Sequence, residues 1–179
     1  MMTKSIEMSE DAFIALLELA QCCGQNLLPQ NPRKGNEAMQ SFLKGREELI
    51  LKGFVELDFD GTVSQTVWFA RMIYSLTRTR SSMKIELDKE LFWYLRGPIE
   101  QLFIKKETGN YVLTRCSAGE IFRLFRERLY EAASGRVITQ WDQLRKDTIL
   151  SDTQPVQLER SEKLAEHLYV YFDKEVPHA

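Results

Sequence analysis

From Ser9 onward, apolar side chains recur at Phe13, Leu16, Leu17 and Ala20 behind an acidic first turn of Glu10 and Asp11. This spacing predicts a helix with one buried face that ends near Gly24. The stretch from Gln25 to Asn36 carries Pro29, Pro32 and Gly35 and reads as a loop. Helical spacing resumes from Glu37 to Lys52 through Met39, Phe42, Leu43, Leu49 and Ile50, and Gly53 stands where a left-handed cap would end the helix. Gly45, inside this stretch, lowers its helix propensity.

The period then changes. Phe54, Val55, Leu57 and Phe59 alternate around Glu56 and Asp58, which predicts a short strand, and Asp60-Gly61 is hairpin-turn chemistry. Ser64 is placed to cap a third helix through Val67, Phe69, Arg71, Ile73, Tyr74 and Leu76. From Met83 to Cys116, alternating and aromatic-rich apolar runs are separated by Gly97-Pro98 and Thr108-Gly109-Asn110, which predicts an antiparallel meander. Ser117-Ala118-Gly119-Glu120 has capping-box form, and Ile121, Leu124, Phe125 and Leu129 continue it as a helix that stops at Ser134-Gly135. Val137 to Ile149 fits strand or helix, and Glu159 to Phe172 fits a final helix. The expected fold is α+β: an antiparallel sheet flanked by helices, with a winged-helix-like helix-strand-turn element near the N-terminus. One domain is expected over residues 1–179.

Composition narrows the functional classes without choosing one. The 179 residues carry 24 Lys and Arg against 26 Asp and Glu, a formal net charge of -2, so no global field draws the chain to phosphates or anionic lipid. No signal-peptide pattern or membrane-length apolar run is present, which predicts a cytoplasmic protein without membrane contact. Cys22, Cys23 and Cys116 form no even framework and are expected as reduced thiols. His167 and His178 lack companions at metal-ligand spacing, and neither a GxSxG nucleophile motif nor a glycine-rich phosphate loop occurs. Asp58 with Asp60 and Glu47 with Glu48 read as solvated pairs rather than acid-base machinery. The Arg71, Arg78, Arg80 and Lys84 cluster and the Arg123, Arg126 and Arg128 group are interleaved with acids, as on a solvated face. No catalytic residue, metal or cofactor is therefore expected. Within Phe92-Trp93-Tyr94, neighbouring strand residues point to opposite faces, so with Phe92 and Tyr94 in the core Trp93 faces outward as a partner-binding residue.

The segments SEDAFIALLELA, LKGFVELDFDGTVS, YVLTRC and SAGEIFRLFRERL, in this order over residues 8–132, resemble the EspG-type chaperones of type VII (ESX) secretion and their shorter Firmicutes relatives. Leu51, Gly53, Phe54, Val55, Asp60, Gly61 and Val63 match best, and all are fold residues rather than binding residues. Residues 136–179 then form a C-terminal extension. The resemblance implies a non-enzymatic, cytosolic protein that holds a helical-hairpin secretion substrate or a component of the machinery, and it leaves room for a homo-oligomer. The alternative is a winged-helix transcriptional regulator with Glu37 to Lys52 as recognition helix and Asp60-Gly61 as wing. Glu37, Glu47, Glu48, Asp58 and Asp60 would repel a phosphate backbone in that arrangement, so nucleic acid is the less favoured partner.

Overall fold

The computed structural model of the protein describes residues 5–60, 62–79, 81–115, 120, 135–141 and 144–150. In chain order the elements are β1 (Ser5–Ser9), α1 (Glu10–Leu19), α2 (Gly35–Leu51), β2 (Val55–Leu57), β3 (Val63–Gln65), α3 (Val67–Thr77), β4 (Ser81–Leu87), β5 (Glu90–Arg96), β6 (Gln101–Lys106), β7 (Asn110–Arg115), β8 (Gly135–Trp141) and β9 (Leu144–Leu150). The expected α+β class holds. β4 to β7 form the meander, and β1 and β8 extend it on opposite sides, giving a seven-stranded sheet of order β1-β7-β6-β5-β4-β8-β9 with every neighbouring pair antiparallel. The segment compatible with either strand or helix is thus the β8–β9 hairpin.

Local chemistry explains most element ends. Ser9 caps α1 by accepting from the Ala12 backbone N–H at 3.1 Å, with Glu10 and Asp11 in the first turn. Gly53, at φ +69°, supplies the left-handed residue after α2. One expectation is corrected, and one strand is added. Ser64 lies in β3 rather than at a cap, because Val63–Gln65 closes a two-stranded hairpin with β2, and Thr66 caps α3 by accepting from Phe69 N. β1 precedes the expected first helix, and its five residues gain strand character only by pairing with β7, from Ser5↔Thr114 to Ser9↔Asn110.

On the helix-bearing face, Ile6, Met8, Trp93, Leu95, Leu102, Ile104, Tyr111 and Leu113 meet Phe13, Leu16 and Leu17 of α1 and Phe69, Met72 and Leu76 of α3. The Phe13 and Tyr111 rings stack with centroids 4.1 Å apart, tying α1 to β7. The opposite face is buried as well at β4, β5 and β8: cross-strand partners Met83 and Tyr94, and Ile85 with Phe92 and Val137, are all in the core. β5 therefore carries apolar residues on both sides and reads as a continuous run from Leu91 to Leu95, whereas β4 keeps the alternation of Met83, Ile85 and Leu87 with Lys84 and Glu86. The capping-box helix expected from Ser117 and the final helix expected over Glu159 to Phe172 lie outside the described residues. Among the described residues, no helix is long and apolar enough to cross a membrane.

Candidate partner-binding surface

Beyond Gly53 the chain leaves α2 and builds a projection. Phe54 anchors its base, with its ring 5.6 Å from Phe69 and 5.9 Å from Trp68, so the β2–β3 hairpin is seated on the start of α3. Above the base, Val55↔Gln65, Glu56↔Ser64 and Leu57↔Val63 are paired, and Asp58 N donates to Thr62 O at 2.9 Å. At the tip, Asp60 Oδ1 accepts from Thr62 Oγ1 at 2.6 Å and from Thr62 N at 2.9 Å. These two bonds hold the Asp60 carboxyl below the usual carboxylate range. The turn is thus ordered by its own side chains, and it presents Phe59 with a relative exposure of 115%. Leu51 just before the hairpin and Val67 just after it are also largely exposed, at 81% and 78%. Single exposed apolar residues are ordinary, whereas an aromatic held fully in water at the end of a paired hairpin has the form of a contact point. Glu56, Asp58 and Asp60 alternate with the apolar residues and are all exposed, so the projection is acidic as well as aromatic.

Trp93 is not part of this surface, and its expected outward orientation is corrected. It is only 2% exposed, its indole Nε1 donates to the Leu27 carbonyl at 2.8 Å, and its ring lies 6.0 Å from that of Tyr111. Trp93 and Phe92 do point to opposite faces, as alternation requires. Neither face is open, however: Leu27 from the α1–α2 loop reaches over Trp93, and Phe92 is buried on the other side. Phe59 is hidden in the sequence because it continues the strand alternation, and only the Asp60-Gly61 turn directly after it marks it as a tip residue.

A second polar constellation joins α3 to the sheet. Glu100, in the β5–β6 turn, is 5% exposed; its Oε1 lies 3.3 Å from Arg71 Nε of α3, and its Oε2 meets Arg115 Nε at the end of β7. Gly97 N donates to Glu100 O at 3.1 Å and closes the turn, and Glu100 N donates to Ser75 Oγ at 3.0 Å, which ties the turn to α3. Of the basic residues expected on a solvated face, Arg71 and Arg78 are exposed, Arg71 faces Glu100, and Lys84 on β4 pairs with Glu86 at 2.7 Å, while Arg80 lies outside the described residues. The Arg123, Arg126 and Arg128 group, both histidines and Cys116 lie outside the described residues.

Several other polar groups among the described residues hold the fold. Glu48 of α2 accepts from Ser9 N at 3.0 Å and from Ser9 Oγ, and pairs with Lys52 at 2.8 Å, while Lys52 Nζ donates to Glu7 O at 2.7 Å. Arg33, Ser41 and Asp11 bond in sequence between the α1–α2 loop and the two helices. Burial pushes the Cys22 thiol up to about 12 and also raises that of Cys23, which removes thiolate character from both. An open depression of about 600 Å³ at the β4–β5 and β6–β7 turns contains Lys105 and Lys106, but these pair with Glu107 at 3.0 Å and Glu10 at 3.4 Å. Among the described residues, no group of three His, Cys, Asp or Glu is arranged to hold a metal ion. The chain matches no protein-family model and no curated protein.

Proposed function

We propose that the protein is a non-enzymatic binding protein that grips a protein partner through the β2–β3 hairpin, and that it serves as a cytosolic chaperone or accessory factor for type VII secretion substrates. The observation that carries the binding assignment is Phe59, fully exposed beside Asp60, whose carboxylate accepts from Thr62 N and Oγ1. A pre-ordered aromatic tip loses little conformational entropy when it enters a partner's pocket, which is how few residues come to dominate an interface. The assignment to type VII secretion rests on the sequence resemblance, whose best-matching residues, Leu51 to Val63, fall on this hairpin and its approach. The acidic flanks Glu56, Asp58 and Asp60 favour a protein partner over a phosphate backbone.

The test is co-purification of the full chain with helical-hairpin secretion substrates from its own genome, followed by size-exclusion chromatography. A stable complex that Phe59→Ser abolishes, with an unchanged melting temperature for that variant, is the expected result. Tight, sequence-specific retardation of the gene's upstream DNA at moderate salt, with no such complex, would overturn it in favour of a regulator.

A further inference from the structure

The outer face of α3 has an organisation that fold stability alone does not require. Val67, Arg71, Tyr74 and Arg78 follow one another at spacings of four, three and four residues and are all exposed, which places them in one stripe along the helix. Ile99, 49% exposed, lies beside Glu100 in the turn packed against the same helix. Among the described residues no other carboxylate pairs with Arg71 or Arg115, so two guanidinium groups share the single charge of Glu100. Arg115 makes the closer contact and by itself suffices to neutralise a buried carboxylate. Arg71 is therefore a surplus cation. Its side chain is 51% exposed, and its Nε lies 3.3 Å from Glu100 Oε1, an ion pair without a hydrogen bond, so its planar fork can still donate to another acceptor.

We propose that Arg71, beside a buried Glu100 that Arg115 already neutralises, donates to a carboxylate from an acidic, amphipathic segment of the protein partner, with Val67, Tyr74 and Ile99 receiving its apolar residues. The choice of an acidic segment follows from charge. α3 itself contains no acidic residue, and the one carboxylate at the site is buried and already shared. A guanidinium pre-positioned by a buried acid loses less freedom on binding than a loose one, and apolar residues on both sides exclude water from the ion pair. This surface is separate from the hairpin tip, although it rests on the assignment of the protein as one that binds a protein partner.

The test uses three synthetic amphipathic helical peptides with identical apolar positions and polar faces of Glu, Lys or Ser, titrated against the full chain by fluorescence anisotropy. The Glu peptide is expected to bind most tightly and to weaken with added salt, and Arg71→Gln should reduce its affinity about tenfold. Arg71→Lys, which keeps the charge but loses the fork, should fall between the two. Arg71→Gln leaves Arg115 on Glu100, so its circular dichroism and melting should stay close to wild type; Arg115→Gln, which risks unfolding, is not needed. Equal binding of the three peptides, no binding, or an Arg71→Gln variant that binds like wild type would overturn the proposal. Should Phe59→Ser abolish substrate capture while the peptides show no charge preference, the hairpin assignment stands and this dock fails. Glu-selective, Arg71-dependent peptide binding together with a Phe59→Ser variant that still captures substrate would uphold the dock and overturn the hairpin assignment.

Discussion

A β-carbon added to Gly45 would stand 2.1 Å from the carbonyl oxygen of Asp11, with the Ala15 methyl only 2.8 Å away. α1 and α2 are thus in close contact at Gly45 in the middle of α2, and the residue that lowers the helix propensity of the segment is what lets the two helices close. Gly45→Ala gains up to ~1 kcal/mol of helix propensity but overpacks against main chain, which no rotamer change can relieve. The expected net effect is a loss of about 1–3 kcal/mol, seen as a melting temperature lower by about 2–4 °C for each kcal/mol. A variant as stable as wild type would mean that the helices separate at little cost.

Glu48 should make stability fall on acidification. Partial burial pushes its pKa up, but hydrogen bonds from Lys52 and Ser9 outweigh this and hold it below the ordinary 4.5. Its contribution is complete above 4.5, where the carboxylate is charged in both states, and is lost as the pH drops through the lower folded value. Glu48→Gln should be less stable than wild type near neutrality and the gap should narrow in acid. Denaturant titrations across this range measure it, and a gap that stays constant with pH would show that the Glu48 charge adds nothing.

Trp93→Phe keeps an aromatic ring in the core but removes the donor to Leu27 O. Leaving that carbonyl unpaired should cost about 1–3 kcal/mol in urea denaturation. Trp93→Ala should cost about 3–5 kcal/mol and bring the chain close to unfolding. If instead it melts like wild type and loses partner capture, Trp93 belongs to the interface after all.

Cys22, buried and pushed up to about 12, should resist alkylation in the native protein at mildly alkaline pH and react promptly in denaturant. Peptide mass spectrometry after a timed iodoacetamide pulse distinguishes the two states. Rapid native labelling would show that the α1–α2 loop opens.

Elements whose signal is local are legible in the chain. The Ser9 cap and helical spacing of α1, the spacing of α2 and its Gly53 terminator, the Asp60-Gly61 turn and the meander from β4 to β7 each follow from a few adjacent residues, although α1 ends at Leu19 rather than near Gly24. What cannot be read depends on distant partners. β1 is a strand because β7 pairs with it more than a hundred residues later. β3 has only three residues, too few to show a period. The burial of Trp93 is decided by Leu27, far from it in sequence, and the Arg71, Glu100 and Arg115 cluster unites a helix, a turn and a strand. Alternation tells which residues share a face, but not whether that face is covered.

The pairing of β1 with β7 also sets a schedule for synthesis. Ile6 and Met8 find their neighbours only at Tyr111 and Leu113, and Phe13 finds its stacking partner at Tyr111. A ribosome that has released residues 5–80 has therefore produced helices and a hairpin whose apolar undersides still lack the sheet they rest on. Docking has to wait until β7 has left the exit tunnel, and non-local pairing of this kind is slow to form and prone to aggregation in the interval. The segment from β1 to α3 is thus the part of the described chain whose apolar surface waits longest for its cover.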